Sequence, residues 1–259
     1  MRKLIYHKFP TAKPWYRFVA VFMLMALCFW LNITCLSFSL CEIRGNSMQN
    51  TLLHGQVIVV KSRGYTLAHG DIVVFDAGEN DHIKRIIGMG GDKIRATCNQ
   101  GEIALYFVDG ESGALTPIVE PYIKDGAFRQ KTVKVSEDLS EVNKALVTGL
   151  SNLYDGKSFE FTVPNGYLFV LGDNREVSLD SRNHGFVSEQ KVQSKVVESR
   201  NKTVTVTVLG RKVTYNPYVT GFKILRLVGL LTGYLGYAAI FIAGSPILFD
   251  GGKEGYGKN

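Results

Sequence analysis

A chain of 259 residues has room for one sizeable globular domain plus membrane segments, because single domains usually run about 100 to 200 residues. Its 30 lysines and arginines outnumber its 23 aspartates and glutamates, but the excess gathers near the start without a recognised binding motif, which argues against a nucleic-acid partner. Four cysteines without a CxxC spacing give no support to a structural zinc site.

Residues 1–17 carry Arg2, Lys3, Lys8, Lys13 and Arg17 and no acidic residue, and 18–40 contain no charged side chain. As a helix, the uncharged run is long enough to cross a hydrocarbon core of about 30 Å, and the basic flank favours a cytosolic tail over 1–17. A cleavable leader begins in the same way. Its apolar run is usually about 7 to 15 residues, however, and cleavage here would fall beside the first candidate catalytic residue.

Apolar and polar residues alternate at 56–61, 71–75, 167–171 and 203–209, which are strand patterns. Turn signals such as Leu53-His54-Gly55, Gly90-Gly91-Asp92 and Pro164-Asn165-Gly166 separate them. Helical periodicity is confined to 136–147. Residues 41–220 are therefore expected to form a mainly β extracytoplasmic domain, a barrel or sandwich, with the polar, glycine-rich 93–163 as an inserted β-subdomain. Cys41 and Cys98 would lie in an oxidising space where a disulfide is permitted but not implied; Cys28 and Cys35 fall in the first apolar run and act as small hydrophobes. A second uncharged run, 227–249, has Gly229 and Gly233 four apart, a spacing that lets helices approach closely in a bilayer. It reads as a second transmembrane helix or as a hydrophobic helix packed on the core, and 250–259 read as a flexible tail.

Three segments carry candidate chemistry. Gly45-Asn46-Ser47-Met48 follows the first apolar run; a serine beside glycine commonly serves a turn, and the spacing fails the GxSxG elbow. Asp81-His82-Ile83-Lys84-Arg85-Ile86-Ile87-Gly88 embeds two basic residues among isoleucines. Burial strips water from an ammonium and lowers its pKa from about 10.4 toward about 7 or 8, leaving a neutral amine that can accept a proton. The Arg85 guanidinium stays protonated, so Lys84 is the only base of the pair, unless its stem merely lies on apolar surface with its head in water. The third segment is the polar loop from Gly172-Asp173-Asn174-Arg175 through Ser178, Asp180 and Arg182 to Gly185. Pairing of Asp180 with Arg182 would hold it as a turn, and loops at strand ends commonly carry function.

Taken in order, the segments Gly45-Asn46-Ser47-Met48-Gln49-Asn50-Thr51-Leu52, Gly70-Asp71-Ile72-Val73-Val74-Phe75, Lys84-Arg85-Ile86-Ile87-Gly88-Met89-Gly90-Gly91-Asp92 and the polar loop ending at Arg182 resemble the bacterial type I signal peptidases. These are membrane-anchored serine endopeptidases with a Ser-Lys pair. The resemblance implies a β-barrel or sandwich catalytic domain of that family, at the outer or periplasmic face of the cytoplasmic membrane. Its partners would be preprotein signal peptides, the lipid bilayer and the secretion machinery, and it would need no cofactor and no metal. Residue by residue, the resemblance implies Ser47 as nucleophile, Lys84 as base, Ser178 as the hydroxyl that orients the lysine amine, and Asp180 with Arg182 as a supporting ion pair. It implies the backbone N–H of Ser47 as an oxyanion donor. Some relatives add a serine two residues before the nucleophile, where Gly45 stands here, and Asn46 is the candidate substitute donor. Ile43, Ile58, Val73 and Ile83 match positions that line shallow apolar pockets for an extended substrate paired by its main chain. Asn50, where many relatives have proline, and Met89-Gly90, in place of a leucine-proline, bear on the shape of that cleft.

Three other readings compete. A Ser-His-Asp hydrolase would draw its base from His54, His69, His82 or His184, none of which stands in a recognisable triad context. A specialised maturation peptidase or cyclase for a dedicated substrate such as a pilin would keep the Ser-Lys pair. A non-catalytic membrane-anchored scaffold would not need Ser47, Lys84 and Ser178 together.

Overall fold

The computed structural model describes residues 37–49, 51–123, 128–129, 138–197, 203–208 and 211–221, with helical pieces at 19–20, 22–27, 29–30, 223–224 and 227. The tails 1–17 and 250–259, parts of the run 18–40 including Cys28 and Cys35, nearly all of 227–249, and Asn50 lie outside these residues. Among the described residues no helix is long and apolar enough to cross a membrane. Residues 38–219 form one compact unit.

That unit is mainly antiparallel β. One sheet runs in the order β1 (Phe38–Glu42), β2 (Val57–Lys61), β12 (Val192–Val196), β3 (Ile72–Asp76), β4 (Asp81–Met89), β10 (Tyr167–Leu171) and β11 (Val187–Ser188). A second is built from β7 (Leu115–Pro117), β6 (Glu102–Val108), β5 (Lys93–Asn99) and β9 (Ser158–Thr162), with β8 (Phe128–Arg129) also on β6. β13 (Val204–Val208) and β14 (Arg211–Tyr215) pair as a separate hairpin.

The burial pattern explains the sequence of each strand. In β3, Ile72, Val73, Val74 and Phe75 are all buried. Ile72 and Val74 pack with Ile43, Met48, Leu52 and Ile58, whereas Val73 and Phe75 pack with Ile86, Leu168 and Val170. With both faces covered, the strand reads as a continuous apolar run instead of alternating. Burying each such side chain contributes about 1.5 to 3 kcal/mol. β5 behaves differently: Ile94, Ala96 and Cys98 are buried while the residues between them are not, the signature of a sheet with one face toward solvent. A third apolar cluster joins the two sheets, as Ile87, Phe169 and Leu171 of the first meet Ile94, Leu105 and Phe161 of the second.

Helix α1 (Glu141–Ser151) adds Leu146 and Leu150 to this cluster, and its Val147 is buried as well. It begins later than the expected 136–147, because the Ser140 side chain accepts from the Asn143 N–H and caps it there. Cys98 lies in this cluster and Cys41 packs against the one around Ile58, and both thiols are free.

Glycine ordinarily weakens a helix interior, yet Gly149 sits inside α1 because a Cβ there would overlap the Phe159 ring of β9. Gly149→Ala is therefore expected to destabilise by about 1 to 3 kcal/mol, despite alanine's better helix propensity. Adding Phe159→Ala is expected to remove most of the Gly149→Ala effect. Urea unfolding of the single and double variants measures the coupling.

Candidate active site

The three motifs converge: Lys84 Nζ stands against Ser47 Oγ, and the Asn174 N–H of the polar loop donates to Ser47 O. The chain leaving β1 turns back on itself: the Ile43 N–H donates to Gln56 O (2.9 Å) and the Gly55 N–H to Ile43 O (2.8 Å). The Gly45 N–H donates to His54 Nδ1 at 3.0 Å. Met48, buried in the apolar cluster, anchors the turn, and its carbonyl accepts from the N–H groups of Thr51 and Leu52. Ser47 is left half-buried at the surface of this anchored turn.

Lys84 comes from the middle of β4, where it pairs with Val73 of β3. Although only 3% exposed, it stands with Nζ 3.0 Å from Ser47 Oγ and donates to Ile83 O at 2.9 Å. Burial lowers its pKa to about 8; the Asp180 charge opposes the fall and the Arg182 charge adds to it. A neutral amine at hydrogen-bonding distance from a serine hydroxyl can take its proton.

The polar loop closes over the pair from β10. Arg182 grips Asp180 with Nε to Oδ1 at 2.7 Å and Nη2 to Oδ2 at 2.8 Å, both side chains being buried. Asp180 also accepts from the Gly172 N–H (2.9 Å) and caps the short helix α2 (Ser181–His184). Burial by itself would raise the Asp180 carboxyl, but the Arg182 guanidinium and the Gly172 N–H hold it below its ordinary value. Gly172 is required by close approach, because a Cβ there would overlap the Ser178 side chain and the Ser47 carbonyl. The buried Ser178 hydroxyl lies beside the Asp180 carboxylate and adds to what holds it below its ordinary value.

A second buried ion pair lies alongside, and sequence reasoning assigned it no role. Arg85 donates to Asp173 through Nε (2.9 Å) and Nη2 (2.7 Å), and to Gly70 O through Nη1 (2.7 Å). Thr51 Oγ1 donates to Asp173 Oδ2 at 2.5 Å, which ties the nucleophile loop to the polar loop. The Tyr122 ring covers the guanidinium at 4.0 Å, and its hydroxyl donates to Glu120, which also pairs with Arg175. The run Gly172-Asp173-Asn174-Arg175 after an apolar strand was the only available signal. Glu120 and Tyr122 fall in a stretch without a recognisable motif.

Of the expected pocket residues, Ile43, Ile58 and Ile83 pack in one apolar cluster. Val73 belongs to another and shares a strand face with Lys84, its cross-strand partner. The Asn46 side chain is exposed and its carbonyl is held by Asn174 Nδ2 at 3.0 Å. Among the described histidines none is bonded to Ser47: His54 Nδ1 accepts from the Gly45 N–H, His69 pairs with Asp92 at 2.6 Å, and the His82 ring lies beside those of Phe75 and His184. Among the described residues no group of three or more metal-ligating side chains is assembled.

Two outcomes follow from these charges. Lys84 has a folded pKa below its ordinary 10.5, so the protein pays to keep it charged below about pH 8, and that penalty disappears as pH rises toward 10.5. Lys84→Met is expected to stabilise the fold at pH 7 by up to about 3 kcal/mol, with the gain fading between about pH 8 and 10.5 in denaturant titrations. Arg85→Met leaves Asp173 charged and buried, and is expected to cost about 3 to 5 kcal/mol; Arg85→Met combined with Asp173→Leu is expected to recover much of that loss in the same assay.

Comparison with known proteins points one way. Residues 15–199 match the family described as signal peptidase, peptidase S26. A signal peptidase IB of Staphylococcus aureus (strain N315) is 35% identical over 164 residues, covering 60% of this chain and 73% of the relative. A signal peptidase I of Aquifex aeolicus (strain VF5) is 34% identical over 179 residues, covering 58% and 70%. A crystal structure of a signal peptidase I from Enterococcus faecalis V583 aligns at 26% identity over 50% of this chain and 96% of that one, with a TM-score of 0.28. Since the family match spans well over half of the sequence and both curated relatives are matched over more than two thirds of their own length, the chain belongs to the signal peptidase family, peptidase S26.

Proposed function

We propose that this protein is a serine endopeptidase that removes signal peptides from exported preproteins, with Ser47 as nucleophile and Lys84 as general base. The observation that carries the reading is the 3.0 Å approach of Lys84 Nζ to Ser47 Oγ at a buried amine whose pKa is lowered to about 8. The neutral Lys84 amine accepts the Ser47 hydroxyl proton as Oγ adds to the scissile carbonyl. When the C–N bond breaks, the departing amine takes that proton from the Lys84 ammonium and an ester to Ser47 remains. Water then gives a proton to Lys84 and attacks the ester, and Ser47 Oγ leaves with the proton returned to it. The Ser47 N–H serves the developing oxyanion, with the exposed Asn46 carboxamide as second donor. The buried Ser178 hydroxyl orients the Lys84 amine in this reading by accepting a hydrogen bond from it, while Asp180 and Arg182 hold the loop. The family resemblance offers Ile43, Ile58, Ile83 and Val73 for the small side chains upstream of the cut. Ile58 and Val73 are fully buried and sit in different apolar clusters, and of the four the half-buried Ile83 is the most accessible to a substrate.

The same proposal places residues 41–220 on the outer face of the cytoplasmic membrane, with 18–40 and 227–249 spanning it and 1–17 in the cytosol. Support comes from the uncharged runs and from exposed apolar side chains at the helical residues of the first run, among them Phe22 (69%), Phe29 (68%) and Trp30 (61%), which a bilayer would cover. Signal peptides, lipid and the secretion machinery are the partners this reading requires.

Cleavage of a preprotein in detergent is expected to be lost in Ser47→Ala and Lys84→Ala and retained in His82→Ala. Activity of the wild type is expected to rise with pH through a limb near 8, as Lys84 loses its proton. Full activity of Lys84→Ala would sink the mechanism. Product masses lacking the added water would instead identify a cyclase.

A further inference from the structure

Asn174 holds the two peptide carbonyls that bracket Ser47. Its backbone N–H donates to Ser47 O at 3.0 Å, and its side-chain Nδ2 donates to Asn46 O at 3.0 Å. The two bonds act on different peptide planes. Ser47 O belongs to the plane that follows the nucleophile, and Asn46 O to the plane that contains the Ser47 N–H. In a trans peptide the C=O and N–H of one plane point in opposite directions, so whatever fixes the Asn46 oxygen also fixes the direction of the Ser47 N–H. Among the described residues no acceptor takes that N–H.

The Asn46 oxygen is held from two sides, because the Gln49 N–H also donates to it at 3.0 Å. The Gln49 bond is local to the turn and moves with it, whereas Asn174 belongs to a loop anchored independently. Asp173 before it is clamped by Arg85, and Arg175 after it donates to Gly172 O at 3.0 Å. The Asn174 carbonyl in turn accepts from the Ser178 N–H at 3.0 Å. The carboxamide therefore references the nucleophile's peptide plane to the loop that carries Ser178 and Asp180.

We propose that Asn174 is a positioning residue for the oxyanion site, its carboxamide setting the direction in which the Ser47 N–H points. This rests on the reading of Ser47 as nucleophile. An oxyanion donor acts in the transition state more than in the bound ground state, so tilting it lowers kcat and leaves KM in place. A group that only holds the fold together would instead change stability, or KM and the pH limb together.

The test uses the full chain in detergent with a preprotein substrate. Asn174→Ala and Asn174→Leu both remove the side-chain donor and keep the backbone N–H that tethers Ser47, and the leucine keeps the same branched arrangement of side-chain heavy atoms if the alanine variant fails to fold. Each is expected to lower kcat about tenfold, below the roughly 100- to 1000-fold effect of deleting a donor outright. KM, the limb near pH 8 and the melting temperature are expected to stay close to wild type. Affinity for a peptide boronate, which forms a tetrahedral adduct on the serine, is expected to fall in parallel with kcat. Wild-type kcat in a folded variant, or a lowered kcat with unchanged boronate affinity, overturns the proposal. Ser47→Ala separates the two levels: if it still cleaves, the reading of the nucleophile fails; if it is inactive while both Asn174 variants keep full kcat, only the role of Asn174 fails.

Discussion

Everything at this site depends on keeping water away from one amine. A lysine in solution is protonated at neutral pH and cannot accept a proton from serine; here a central strand buries Lys84 and lowers its pKa to about 8. The cost of that burial falls on the fold, and the surrounding apolar clusters offset it. Val73, across from Lys84 on β3, and Ile86, two residues along β4, both belong to one such cluster.

Strand alternation explains how two adjacent cations are handled so differently. Lys84 pairs across to Val73 and Arg85 to Ile72, so the two side chains leave β4 on opposite faces. One reaches the serine, and the other reaches Asp173 in a bidentate ion pair. A slip of one residue in the pairing of β3 with β4 would exchange them, placing an always-charged guanidinium beside Ser47. Register is thus a condition of the proposed chemistry, and the continuous burial of β3 on both faces pins it.

The polar loop after β10 performs several tasks with few residues because each is held by more than one bond. Asp180 is fixed by Arg182 and by the Gly172 N–H, Asp173 by Arg85 and Thr51, and Arg175 by Glu120 and Gly172 O. Buried charges without partners would be costly, and here they cross-link the nucleophile loop, β4 and the second sheet's connections. The close approach at Gly172 completes the arrangement, since any larger residue would push Ser178 and the Ser47 carbonyl apart.

Much of this was legible in the sequence, and the remainder was hidden for definite reasons. The strand patterns at 56–61, 71–75 and 167–171 coincide with β2, β3 and β10, because burial and alternation are local properties of a chain. The isoleucines around Lys84 announced a desolvated amine, and Asp180 with Arg182 lie close enough in sequence for their pairing to be anticipated. The helix expected at 136–147 starts instead after Ser140, where a side-chain cap overrides a weak periodicity. Glu120 and Tyr122 could not be singled out, because their importance comes from meeting Arg175 and Arg85 across long stretches of chain. Nor could the sequence divide Val73 from Ile43, Ile58 and Ile83, since cluster membership follows strand pairing. Composition, periodicity and motif order determine by themselves which residue types are available and how each strand is patterned. Only the tertiary structure decides which distant side chains come within hydrogen-bonding reach, because a distance of 3 Å between Ser47 and Lys84 is set by sheet register and loop closure.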